Sequence, residues 1–233
     1  MPAAHSALVP ALSALALAGA ALAFSSGAAR TAAAGPPVPV LLAPEPAPAG
    51  VAAASDTAVF AGGCFWGVEA VFESLDGVTG AVSGYAGGSV PSPSYNEVSS
   101  GTTGHAEAVR VVYDPARISY SQLLQVFFTV AHDPTQLNRQ GPDVGTQYRS
   151  AVFYRGAAQR EAVERYLAKL RDAKVWPGRI VTEVSPLEAF HPAEEYHQNY
   201  LVRHPTQPYI VFNDLPKLEE LRKRYPALVR RDG

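Results

Sequence analysis

From Asp56 onward the hydrophobic pattern of the chain switches period repeatedly. Thr57 to Gly62 is a short apolar run entering Gly62-Gly63, the form of a buried strand. Val68, Val71, Phe72 and Leu75 recur at i, i+3, i+4 and i+7, which predicts a helix that Gly77 ends. Val78 to Gly84 predicts a second strand. Ala86 to Gly104 is crowded with Gly, Pro and Ser and reads as a long loop; loops of that length in compact domains are usually functional. Ala106 to Tyr113 alternates, with Glu107, Val109, Val111 and Tyr113 on one side and Ala108, Arg110 and Val112 on the other. Asp114-Pro115 turns the chain, and Ser119 with Gln122 forms a capping box, stapled by Ile118 and Leu123, that opens a helix through Phe128. A strand at Ala151 to Tyr154 follows. Next come a helix at Ala157 to Leu170 with Val163, Tyr166, Leu167 and Leu170 inward, and a strand at Ile180 to Val184. The tail from Tyr209 to Gly233 reads as a short strand at Ile210-Val211-Phe212 and a charged helix through Lys217, Glu219, Glu220, Arg222 and Lys223. No internal repeat occurs. This succession predicts a two-layer α/β or α+β sandwich rather than an all-β barrel.

The first 55 residues follow neither period. Ala7 to Phe24 is almost unbroken Ala, Leu, Val and Gly, and the Ala21-Leu22-Ala23 triplet has the small-x-small form that signal peptidase cuts. A secretory signal over residues 1–24, cleaved near Ala23, is the expectation; an uncleaved membrane anchor and a misassigned start codon are the alternatives. Residues 25–55 are Ala, Pro and Gly, too poor in apolar bulk to offset their ordering entropy, and read as a disordered, semi-rigid linker. The folded domain is expected over 56–233. An exported location follows, in the bacterial periplasm or anchored facing it, or a cytoplasmic one if the start is misassigned.

Composition narrows the function. The chain has 233 residues, 47% of them hydrophobic and 17% charged, with 19 Lys+Arg against 21 Asp+Glu for a net charge of -2. A nucleic-acid partner would leave a basic footprint, and none is present. One cysteine forbids an internal disulfide, a CxxC redox pair and a cysteine-based zinc cluster. His105, His132, His191, His197 and His204 are scattered without metal-type spacing.

The single cysteine, Cys64, lies at a strand-to-helix junction, Gly62-Gly63-Cys64-Phe65-Trp66-Gly67. Glycines there let a substrate approach closely, and the N–H groups of a helix N-terminus favour thiolate over thiol. The position therefore suits a reactive thiol, and equally an inert buried one, since cysteine packs as a small hydrophobe. Phe65 and Trp66 cannot both share the stripe of Val68 and Val71. One or both is expected to face the same opening as the sulfur and to suit a small apolar group such as a methyl.

These six residues resemble the signature of the peptide methionine sulfoxide reductases of the A type. In order there follow Gly84-Tyr85-Ala86-Gly87-Gly88, Pro93-Ser94-Tyr95-Asn96-Glu97-Val98 and Thr103-Gly104-His105-Ala106-Glu107-Ala108-Val109. Next come His132-Asp133-Pro134-Thr135-Gln136, Asp143-Val144-Gly145-Thr146-Gln147-Tyr148-Arg149-Ser150 and Ala193-Glu194-Glu195-Tyr196-His197-Gln198. The match runs from about Val59 to about Val211.

The resemblance implies an α+β fold: a two-layer α/β sandwich with a ferredoxin-like core, a mixed sheet and long catalytic loops. It also implies a peptide-methionine (S)-S-oxide reductase that acts on protein-bound and free methionine S-sulfoxide through a cysteine sulfenic acid. Cys64 would be the nucleophile. Glu107 would be the acid, its pKa raised by desolvation among Val and Ala. Tyr95 and Tyr148 would hydrogen-bond the sulfoxide oxygen, Asp143 would be the supporting carboxylate, and Phe65 and Trp66 would form the methyl-binding wall. Substrate is thus expected to meet Phe65, Trp66, Tyr95, Tyr148 and Glu107. No cofactor and no metal is implied, and a monomer is expected. His197 is expected to be structural.

Many members of that family carry further cysteines in a C-terminal tail, and Tyr209 to Gly233 has none. The resemblance implies oxidised methionine in proteins or peptides as the substrate, and without a second cysteine a thioredoxin- or glutaredoxin-like reductant or a small thiol is expected to regenerate Cys64. A cysteine hydrolase or acyl transferase is the rival enzyme class, with Cys64, His105 or His132, and Asp143 as a triad. A non-catalytic exported binding module is the third reading.

Overall fold

The computed structural model describes residues 55–231. The leader and nearly all of the linker expected over 1–55 lie outside the described residues. Among the described residues, no helix is long and apolar enough to cross a membrane.

Six strands form one sheet in the order β7-β6-β1-β3-β2-β8: β1 is Asp56–Gly62, β2 Val78–Ala86, β3 Ala106–Tyr113, β6 Ser150–Tyr154, β7 Glu183–Pro186 and β8 Phe190–Pro192. All neighbours are antiparallel except β6 and β7, so the sheet is mixed. The inner order β6-β1-β3-β2 is that of a ferredoxin-like core. A two-residue hairpin, β4 (Arg139–Gln140) with β5 (Asp143–Val144), stands apart from the sheet.

Helices α1 (Phe65–Glu73), α3 (Tyr120–Val126), α4 (Ala157–Asp172) and α6 (Leu215–Arg224) contribute to the large core on one face of this sheet. The predicted stripe of α1 is inward: Val68 and Val71, with Phe72 stacked on Phe60 of β1 at 5.0 Å. The other face carries a smaller cluster of short side chains, Val59, Ala61, Ala86, Ala106, Ala108 and Ala151, closed by Phe153. Both faces are thus covered, and the alternation of β3 sorts its residues between two buried layers. Glu107 shares the helix-side layer with Val109 and Val111, and that layer is where a carboxyl is desolvated.

The Ser119–Gln122 capping box is present, with Gln122 N–H donating to Ser119 Oγ at 3.2 Å and Ser119 N–H to Gln122 Oε1 at 2.8 Å. The helix predicted through Phe128 runs on, widening into a π turn over Phe127–Ala131 in which all five residues are buried. The strand expected at Ile180 to Val184 lies instead at Glu183–Pro186, pairing parallel with β6, while Ile180 anchors in the core without strand pairing.

The strand expected at Ile210-Val211-Phe212 is a π turn over Ile210–Asp214 that leads into α6. A strand with one buried face would turn Ile210 and Phe212 the same way, yet Ile210 is fully buried and Phe212 is 73% exposed. The second inward residue is Asp214, four positions on, which is a helical spacing. The long loop from Ala86 to Gly104 holds a short helix, α2 (Tyr95–Ser99), and α5 (Tyr200–Arg203) follows the 3-10 turn that contains His197.

Candidate active site

Two glycines shape the junction that presents Cys64. Gly63 has φ +90°, open only to glycine at low cost, and a Cβ there would sit 2.4 Å from the Cβ of Gln140. Its absence lets Gln140 of β4 close against the end of β1. Cys64 is the N-cap of α1 (φ -51°, ψ 123°) and only 8% exposed.

The orphan amides of this first turn are aimed at the chemistry. Phe65 N–H donates to Glu107 Oε2 at 3.1 Å, and Trp66 N–H acts on the Cys64 sulfur to lower its pKa. Sequence reasoning expected the helix end to tip Cys64 toward thiolate, and the structure corrects this. Desolvation by burial dominates, Glu107 (when ionised) and Asp214 add repulsion, and together they hold the thiol well above its ordinary value despite Trp66 N–H and Lys217. The resting residue is a thiol.

Glu107, opposite Tyr85 in the β2–β3 register, is 2% exposed. Burial pushes its carboxyl up to about 8, with Asp143 and Asp214 adding repulsion and the Phe65 N–H opposing them. At neutral pH it carries a proton beside the sulfur.

Tyr95 is placed by a capping box that sequence reasoning passed over inside the long loop. Ser94 accepts from Glu97 N–H, Glu97 accepts from Ser94 N–H at 2.8 Å, and Tyr95 is the first residue of α2. Glu194 then fixes this helix, accepting Tyr95 N–H at Oε1 and the Tyr85 hydroxyl at Oε2, each at 2.8 Å. Tyr148 ends a 3-10 turn after β5. Burial raises the phenols of Tyr95 and Tyr148, and Glu107 and Cys64, when ionised, act on both in the same direction. Asp143 accepts a hydrogen bond from Tyr209 at 2.5 Å.

Phe65 turns into the cluster of Tyr85 and His197, while Trp66 is half-buried, stacked on Tyr200 at 3.7 Å and edge-on to Tyr209. Trp66 Nε1–H donates to His197 Nδ1 at 3.1 Å, and the Tyr95 ring lies 4.4 Å from that of His197. The fold thus gathers Cys64, Glu107, Tyr95, Tyr148, Asp143, Phe65 and Trp66 into one region. Sequence reasoning missed Tyr209, Glu194, Asp214 and Lys217 as members of it. The Ser94-x-x-Glu97 pattern, the spacing of Ile210 to Asp214 and the Ala193-Glu194-Glu195-Tyr196-His197-Gln198 motif were the signals available.

The histidines of the rival triad are engaged elsewhere. His132 bonds Phe127 O at 2.9 Å and Ser150 Oγ at 2.7 Å, and burial pushes it down to about 4. His105 accepts Gly88 N–H at Nδ1 and bonds Val90 O at Nε2. Neither histidine of that triad is held toward Cys64 by these bonds. Among the described residues, no three His, Cys, Asp or Glu side chains are grouped to hold a metal ion.

Residues 56–228 match the sequence profile of the family described as peptide methionine sulfoxide reductase. The chain is 53% identical over 174 residues to peptide methionine sulfoxide reductase MsrA 2 of Mesorhizobium japonicum, covering 75% of this chain and 89% of that one. Against MsrA of Chromobacterium violaceum it is 50% identical, covering 75% of this chain and 99% of the relative. Among solved structures, reduced Mxr1 of Saccharomyces cerevisiae superposes with TM-score 0.62 at 35% identity, over 71% of this chain and 92% of its own. Methionine sulfoxide reductase A of Corynebacterium diphtheriae gives TM-score 0.59 at 39% identity, over 76% and 90%.

Proposed function

The chain belongs to the peptide methionine sulfoxide reductase family, and on that premise we propose how its residues divide the reduction of methionine sulfoxide to methionine. The observation that carries the division is the Phe65 N–H···Glu107 hydrogen bond, which ties a proton-bearing carboxyl to the residue next to the only thiol.

The methyl group of the sulfoxide lies against Phe65 and Trp66, and its oxygen accepts hydrogen bonds from Tyr95 and Tyr148. Glu107 passes its proton to that oxygen as Cys64 Sγ attacks the sulfur, and the thiol proton returns to Glu107. The protonated oxygen leaves the substrate sulfur and bonds to Cys64 Sγ as the new S–S bond breaks, releasing methionine and leaving a sulfenic acid, the cysteine sulfur oxidised by two electrons and the substrate sulfur reduced by two. Burial keeps Glu107 protonated, and Asp143, held by Tyr209, adds to it by keeping negative charge nearby. The S epimer is the substrate, in proteins and as the free amino acid, as the family resemblance implies.

With one cysteine in the sequence, the sulfenic acid is attacked by an external thiol, releasing water and leaving a mixed disulfide that a second thiol reduces. A thioredoxin- or glutaredoxin-like protein or a small thiol fills this role. The apolar leader and Ala/Pro-rich linker favour export of the catalytic domain, and N-terminal sequencing of the mature protein from periplasmic and cytoplasmic fractions tests this. The reaction itself is tested with separated epimers of a methionine sulfoxide peptide and added thiol. Consumption of the S epimer alone, with activity lost in Cys64→Ser, is expected. Turnover by Cys64→Ser would overturn the assignment.

A further inference from the structure

The first turn of α1 carries a second charged device besides Glu107. Asp214, at the start of α6, is fully buried, and its Oδ1 accepts from Lys217 Nζ at 3.1 Å while Oδ2 has no partner. Both charged groups occupy the space that a side chain at residue 67 would take. A Cβ at Gly67 would lie 2.1 Å from Asp214 Oδ1 and 2.8 Å from Lys217 Nζ, so the missing side chain of Gly67 is what lets the pair sit there. Gly67 is three residues after Cys64, one helical turn along.

A buried ion pair seldom stabilises a fold better than apolar packing would, so its retention here calls for a use. The reaction supplies one. As Cys64 surrenders its proton its sulfur turns negative inside a nearly closed region, next to Glu107, which is itself losing a proton to the substrate. Of the charges acting on the thiol, Glu107 and Asp214 oppose ionisation, and Lys217 favours it. Lys217 also offsets Asp214 at Asp143.

We propose that the Asp214–Lys217 pair, seated on Gly67, is a positioning unit for the nucleophile: Lys217 offsets the negative charge developing on Cys64 Sγ, and Asp214 anchors the ammonium over the first turn of α1. Neither side chain touches substrate. This rests on Cys64 being the nucleophile. Its test is therefore read on the thiol itself rather than on turnover, and the Cys64→Ser assay judges the nucleophile separately.

The test is alkylation by iodoacetamide, clean because the chain has one cysteine. At about pH 8 the thiol is almost wholly protonated, so the rate follows the thiolate fraction, and a roughly tenfold weaker acid reacts about tenfold more slowly. Glu107, Asp143, Tyr95, Tyr148 and Tyr209 face the same region and are left unchanged in every variant. Lys217→Met is expected to slow alkylation about tenfold, with Asp214 left as an uncompensated charge, and Lys217→Arg to restore most of the rate. Asp214→Asn, leaving the ammonium alone, is expected to speed it. A merely structural pair would move both variants in one direction, and that result, or no change in Lys217→Met, would overturn the proposal. If Asp214→Asn does not fold by circular dichroism, Lys217→Met against Lys217→Arg decides alone.

Discussion

Replacing Glu107 with glutamine sets the two consequences of a buried carboxyl against each other. The side chain titrates near 4.5 when exposed and is pushed up to about 8 in the fold. The folded value lies above the unfolded one, so the carboxyl's contribution to stability is complete below pH 4.5 and is lost as pH rises toward 8. Between pH 4.5 and about pH 7 the slope climbs from about half of 1.36 kcal/mol per step of one in pH to nearly all of it, and the wild type loses about 3 kcal/mol in all. Glutamine does not titrate, keeps the shape, and can accept the Phe65 N–H through its amide oxygen. Glu107→Gln is therefore expected to match the wild type near pH 4.5 and to exceed it by about 3 kcal/mol near pH 7, roughly 6–12 °C in Tm for a domain of this size. Its turnover should meanwhile fall by about 10²–10⁴. Thermal unfolding followed by circular dichroism across that pH range, beside the sulfoxide assay, measures both. A stability difference that does not change with pH would refute the protonated carboxyl. A rate loss under about tenfold would remove Glu107 as proton donor.

Other outcomes follow from the same geometry. Wild-type turnover should fall as pH rises through about 8, because the raised Glu107 loses the proton it donates; a single-turnover pH profile reads this directly. Tyr95→Phe and Tyr148→Phe should each cost about tenfold or less, since two phenols share one oxygen, whereas the double variant should cost about 10²–10³ in kcat. Sulfoxide reduction without added thiol should stop after one turnover with dimedone-reactive Cys64, and mass spectrometry that finds multiple turnovers would refute the need for an external thiol. Glu69→Ala should leave Ser83 Oγ and Asn199 N–H, now bonded to the carboxylate at 3.0 and 3.2 Å, without a partner inside the fold. About 2–3 kcal/mol should be lost in urea unfolding.

Local pattern determined a good part of this protein. Periodicity located α1 and α4 because each buries one stripe against the sheet, and β3 because its alternate side chains enter two different layers. The Ser119 and Gln122 side chains marked the start of α3 because a cap needs only its own helix. The motif order named Cys64, Glu107, Tyr95, Tyr148 and Asp143. Tertiary structure decided what those residues are in electrical terms. Cys64 suited both a helix-end thiolate and a buried thiol, and the fold makes it a thiol, because burial and the Asp214 carboxyl outweigh the amide of Trp66. Asp214 comes from the far end of the chain, in a segment whose apolar residues looked like a strand. Only packing on Gly67, more than a hundred positions earlier, turns it inward. A hydrophobic stripe is a property of neighbours in sequence. The charge on a buried sulfur is a sum over neighbours in space, which the order of residues does not contain.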